Sequence, residues 1–154
     1  MTEADPGLQL VHLLRALTVQ FDLAGAAFAQ ANGLHATDLR ALIHLLDAGR
    51  AGLDPTPGWL GGQLGLNSAS VTALADRLEH LGLVRRERDT TDRRRVLLRV
   101  TAQATALGWG FFGPLIGRIV TATRPFTPAE LATADRVLRA ILGSADTGIE
   151  NSAH

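Results

Sequence analysis

Seven arginines fall between Arg85 and Arg99, set against Glu87, Asp89 and Asp92, a local excess of four positive charges in fifteen residues. Guanidinium groups at that density suit anion binding, because each offers a planar fork of N–H donors matched to phosphate or carboxylate and stays charged at any physiological pH. The whole chain is neutral, with fifteen basic residues, all of them arginine, and fifteen acidic ones, so the placement of charge matters more than its sum. Other chemistries are thinly supplied. No cysteine is present, which removes disulfides, thiolate metal sites and cysteine nucleophiles together. His35 and His44 are nine residues apart, off a common helical face and without Glu or Cys at ligand spacing, so neither metal nor cofactor is expected. No Ser-His-Asp spacing or glycine-rich phosphate loop points to an enzyme.

The elements that must position these arginines follow from apolar spacing. Leu10, Leu14, Leu17, Phe21, Ala24 and Phe28 form one stripe along a helix of about residues 7–31, stopped by Asn32 and Gly33. Thr37 is placed to cap a second helix that ends near Gly49, and a Gly- and Pro-rich loop then leads to Thr56, the cap of a short third helix through Leu64. A tight turn at Gly65, Leu66 and Asn67 opens a fourth helix with Val71, Leu74, Ala75 and Leu78 on its inner side. Beyond Gly82 the period changes to that of strands, around a charged tip from Asp89 to Arg94. A fifth helix runs from Thr101 to about Thr123 with a kink expected at Pro114, and Thr127-Pro128-Ala129-Glu130 opens a sixth, with a disordered tail expected over 144–154.

This is a mainly α fold with a small β-hairpin wing, read as a single domain over 1–154. At 46% hydrophobic and 19% charged, the chain can bury a core. No unbroken apolar run reaches the roughly 18 residues that cross a bilayer, and the start MTEADPGLQL lacks the charged and apolar regions of a signal peptide, so no membrane partner is expected and the location is read as cytoplasmic.

Two short helices joined by a tight turn and followed at once by an arginine-tipped hairpin suit duplex DNA. The second helix of the pair fits the major groove, and the hairpin lies beside it where a narrow groove attracts an inserted arginine. With Val71, Leu74 and Leu78 turned inward, the outward positions are Ser68, Ser70, Thr72, Ala73, Asp76 and Arg77. Of these, Arg77 has the donors for a bidentate guanine contact.

The residues Leu81-Gly82-Leu83-Val84-Arg85-Arg86, Asp92-Arg93-Arg94 and Val100-Thr101 resemble the signature of the multiple antibiotic resistance regulator (MarR) family, and the resemblance covers nearly the whole chain. It implies a winged helix-turn-helix over about 37–100, with dimerisation helices from both termini at about 7–31 and 102–143. It further implies a homodimer that binds double-stranded DNA at a palindromic operator, usually as a repressor, and is released by a small aromatic or anionic ligand. At matching positions, Arg93 or Arg94 would enter the minor groove, Asp92 would hold the wing through an arginine partner, and Ser68, Ser70 and Thr72 would contact DNA from the recognition helix. Arg77 and Arg86 complete the expected DNA-binding set. Arg15, His35, Arg40 and His44 are the expected ligand-pocket residues.

The chain departs from the family pattern at Ala73, where a basic residue is frequent, at Gly61-Gly62, where alanine and a polar residue are usual, and at Ala104, often glycine. Each glycine inside the short third helix costs about 1 kcal/mol against alanine. Ala73 and the neutral net charge favour the competing reading, a winged-helix module that binds protein without sequence-specific DNA recognition.

Overall fold

The computed structural model describes residues 5–151 and orders them as α1 (Pro6–Ala31), α2 (Ala36–Arg50), α3 (Pro57–Leu64), α4 (Ser68–His80), β1 (Val84–Arg88), β2 (Val96–Val100), α5 (Ala102–Thr123) and α6 (Pro128–Asn151). The chain divides into two compact units between Phe112 and Gly113, inside α5 and just before Pro114. α5 is helical through Pro114.

Polar caps set most of the helix starts. Thr56 accepts the Trp59 N–H at 3.1 Å with Pro57 at the first helical position, and Asn67 accepts the Ser70 N–H at 2.9 Å. The turn between them needs Gly65, whose φ of 64° lies in the left-handed region. α2 begins earlier than its sequence suggests. Its N-cap is His35 and not Thr37, because the Asp38 carboxylate reaches back to the His35 N–H at 2.9 Å and fixes the first turn two residues upstream.

In the first unit, Leu42 and Leu45 of α2, Leu60 of α3, Leu74 and Leu78 of α4 and Leu98 of β2 are buried together. Each such leucine contributes roughly 2 kcal/mol by leaving water. Phe28 of α1 joins this core and meets Phe111 and Phe112 of α5 at ring separations of 5.2 and 5.1 Å. Trp59 packs against the same core, whereas Trp109 is 55% exposed. β1 and β2 pair antiparallel, with Val84 opposite Val100, Arg86 opposite Leu98 and Arg88 opposite Val96. The other edge of β2 is stitched to the loop before α3, the Leu98 N–H donating to the Pro55 carbonyl at 2.8 Å. At the hairpin's base, the Thr101 hydroxyl donates to the Gly82 carbonyl at 2.7 Å and accepts the Ala104 N–H at 3.2 Å, which starts α5.

In the second unit, Thr127 and Glu130 form the reciprocal box expected of them. The Glu130 carboxylate accepts the Thr127 N–H at 2.7 Å and the Thr127 hydroxyl accepts the Glu130 N–H at 3.3 Å. The helix they open runs past Gly143 to Asn151, although its sequence suggests an end at Gly143: one glycine costs about 1 kcal/mol and no proline follows to force a stop. The remainder of the expected disordered tail, 152–154, lies outside the described residues.

Large apolar side chains stay exposed on α1, among them Leu10, Leu13, Leu17, Phe21 and Leu23, and on α6, where Leu131, Val137, Leu138 and Leu142 face outward. By length and composition α1 also passes as a membrane-spanning helix, an 18-residue window reaching a mean hydropathy of 1.2. His12, Arg15 and Asp22 interrupt its apolar surface.

Candidate nucleic-acid interface

α4 turns its apolar residues Val71, Leu74, Ala75 and Leu78 into the core and leaves Ser68, Ser70, Thr72, Ala73 and Asp76 exposed. Five of the six residues expected to face outward are therefore exposed, and the sixth, Arg77, is half-buried. Thr72 donates its hydroxyl to the Ser68 carbonyl at 2.9 Å, which fixes its rotamer while leaving the oxygen able to accept. These short groups can meet phosphates and some base edges.

Arg77 is engaged within the protein. Its Nε lies 3.1 Å from both carboxylate oxygens of Asp38, and Nη2 adds a further bond to Oδ1. Asp38 is fully buried, and its hydrogen bond raises the Arg77 pKa most; partial burial opposes that, and the Asp38 charge adds to the rise. The start of α2 and the last turn of α4 are thereby joined. Arg86 of β1 is engaged in the same way. Its Nη2 lies 2.6 Å from Asp76 Oδ1, and both its Nη1 and its backbone N–H bond Glu79, the latter at 3.2 Å. Burial acts to lower the Arg86 pKa, and the two carboxylates overcome it and raise it. The pair ties the wing to the recognition helix.

Asp89 organises the tip. Its side chain is 7% exposed, accepts the Thr91 N–H at 2.8 Å and pairs with Arg95 at 3.1 Å. The Thr91 bond lowers the Asp89 pKa most; partial burial opposes it, and the Asp92 N–H and Arg95 add to the lowering. Asp92, expected to hold the wing through an arginine side chain, instead accepts the backbone N–H of Arg94 at 3.0 Å. At the tip, the arginine-linked carboxylate is Asp89. Arg93 and Arg94 stand exposed with no ion pair among the described residues.

Of the four residues expected to line a ligand pocket, Arg40 and His44 lie four positions apart on α2. Arg15, His35 and Arg40 are exposed and His44 is half-buried. A cleft of about 490 Å³ lies elsewhere, with Leu45, Leu98 and Trp109 among its apolar walls and Arg50, Arg85 and Arg99 at its polar ones. None of the four expected residues lines it. Among the described residues no cluster of His, Asp and Glu is arranged to hold a metal ion.

Sequence reasoning passed over Asp38, Glu79 and Asp89. Asp38 had one readable signal, an acidic side chain three residues after a possible cap. The partners of Glu79 and Asp89 depend on how the hairpin folds back.

A family model described as the MarR family matches residues 32–95. An uncharacterized HTH-type transcriptional regulator, YcgE of Bacillus subtilis, is 40% identical over 121 residues, covering 79% of this chain and 76% of that protein. Among solved structures, a MarR family protein from Bacillus stearothermophilus superposes with a TM-score of 0.65 at 23% identity, covering 95% of this chain and 99% of that one. The MepR–DNA complex of S. aureus superposes with a TM-score of 0.57 at 18% identity, covering 88% of this chain and 98% of that one. With the winged helix-turn-helix geometry and the relative's 40% identity agreeing, the chain belongs to the MarR family of winged helix-turn-helix transcriptional regulators.

Proposed function

We propose that this protein is a DNA-binding regulator, not an enzyme, which acts as a homodimer on a palindromic site with half-sites about one helical turn apart, usually to repress. The observation that carries this reading is the unpaired state of Arg93 and Arg94 at the tip of a wing that is itself ion-paired to the recognition helix. Cations left without a carboxylate partner keep their charge available for phosphate, and a wing fixed to α4 delivers them at a set distance from the groove-facing residues. MepR, which shares the fold, has been crystallised with DNA. The exposed leucines of α1 and α6 support the homodimer, since apolar faces of that extent call for a cover.

Base readout by Ser68, Ser70 and Thr72 is modest in this reading, and wing and phosphate contacts supply most of the affinity. A small aromatic or anionic ligand would occupy the cleft between α2, the hairpin and α5, where apolar walls and three arginines meet. Another MepR structure holds ethidium bromide. A ligand that changed the spacing of two recognition helices by a few ångströms would break many contacts at once.

The test is fluorescence-anisotropy titration of the protein with duplex DNA from upstream of its own gene at several salt concentrations. Binding that weakens steeply with salt and is lost in the Arg93→Ala, Arg94→Ala double variant is the expected result. Undiminished binding by that variant overturns the wing assignment, and no binding by the wild type at low salt favours the protein-interaction reading.

A further inference from the structure

Of the seven arginines between Arg85 and Arg99, four are engaged by carboxylates: Arg85 by Glu87, Arg86 by Asp76 and Glu79, Arg95 by Asp89, and Arg99 by Asp54 and Glu87. Three are exposed without an ion pair among the described residues, and the third beside Arg93 and Arg94 is Arg88. Its charge is not spent on its neighbours. Glu87 is held by Arg85 at 2.6 Å and Arg99 at 3.4 Å, and Asp89 by Arg95 at 3.1 Å.

The pleat places Arg88 on a particular face. Side chains two apart on a strand share a side, so Arg88 lies on the face of β1 that carries Arg86, about 7 Å further toward the tip. Arg86 meets Asp76 and Glu79 of α4 from that face. The residue opposite Arg88 is Val96, an apolar side chain 37% exposed that offers no acceptor. A cation thus sits on the helix side of the wing, between the α4 contact and the Arg93–Arg94 tip.

We propose that Arg88 is a third phosphate-binding residue of each wing, and that Arg95, of the same type and close in sequence, is not. The proposal rests on the DNA-binding reading above and adds to it a rule: the wing arginines that meet DNA are those the protein leaves unpaired. Neutralising one phosphate contributes about 0.9 to the slope of log affinity against log salt concentration.

The experiment measures that slope for the full chain on duplex DNA from upstream of its own gene. Arg88→Gln is expected to lower it by about 0.9 per protomer, Arg88→Lys to restore it, and Arg95→Gln to leave it unchanged. The melting temperature of Arg88→Gln should match wild type, since no ion pair is lost. A wild-type slope in Arg88→Gln, or an equal loss in Arg95→Gln, overturns the inference and leaves the DNA-binding reading standing. The absence of any salt-dependent binding by the wild type removes that reading as well.

Discussion

Arg77 and Asp38 lie 39 positions apart in sequence, yet Arg77 Nε approaches both Asp38 carboxylate oxygens at 3.1 Å while the carboxylate also accepts the His35 N–H at 2.9 Å. One buried carboxylate therefore caps α2 and fixes α4 against it. Replacing Asp38 with Ala removes both roles, and breaking a buried pair costs on the order of 3 kcal/mol, at the lower end of its range here because Arg77 keeps contact with water. Urea unfolding of Asp38→Ala is expected to show that loss with an unchanged m-value. A change under 1 kcal/mol would mean that the pair does not hold the two helices together.

Gly61 and Gly62 are neighbours in α3 with opposite demands. A Cβ at Gly61 would stand 3.0 Å from both the Leu66 carbonyl and Val71 Cγ2, so the close approach of α3 to the turn and α4 requires glycine. A Cβ at Gly62 would meet nothing within 4 Å. Gly62→Ala is expected to stabilise the protein by about 0.5–1 kcal/mol through helix propensity, whereas Gly61→Ala destabilises it by about 1–2 kcal/mol through overpacking. Thermal melts of the two variants should move in opposite directions. Shifts of the same sign would sink the distinction.

The same two glycines mark where sequence reading stops. Their propensity cost is local and legible, but the reason to keep one of them is a contact with Val71, ten positions on. Helix order, the hairpin, the caps Thr56 and Thr127 and the inner face of α4 were legible because apolar period and cap chemistry act within a few residues. The sorting of arginines was not. Seven guanidinium groups look alike in sequence, and two of the four that are spent, Arg86 and Arg99, depend on Asp76, Glu79 and Asp54, seven to forty-five positions away. The start of α2 was misplaced for a related reason, since Asp38 is drawn inward by Arg77 as well as by the local backbone.

Arg86 bridges β1 to Asp76 and Glu79, so its charge is balanced within the protein. Arg86→Ala is expected to weaken DNA binding by loosening the wing, while the salt dependence of the remaining binding keeps its wild-type slope. Anisotropy titrations at several salt concentrations check this. A slope reduced by about 0.9 per protomer would show that Arg86 itself neutralises a phosphate.

Asp89 supports the wing most strongly while it is ionised, because the charge strengthens the bonds that its carboxylate accepts from the Thr91 N–H and the Arg95 guanidinium. Its folded pKa lies below the ordinary 3.8, so the stability it contributes is fully present above that value and is lost as pH falls through the lowered one. The Thr91 amide resonance, followed by NMR from neutral pH downward, is expected to hold its position until the pH is below 3.8 and then to move toward a solvent-exposed value. In Asp89→Ala, which removes the acceptor, the transition disappears and the amide stays near the exposed position at every pH. A wild-type midpoint at or above 3.8 would show that the carboxylate is not held by these donors.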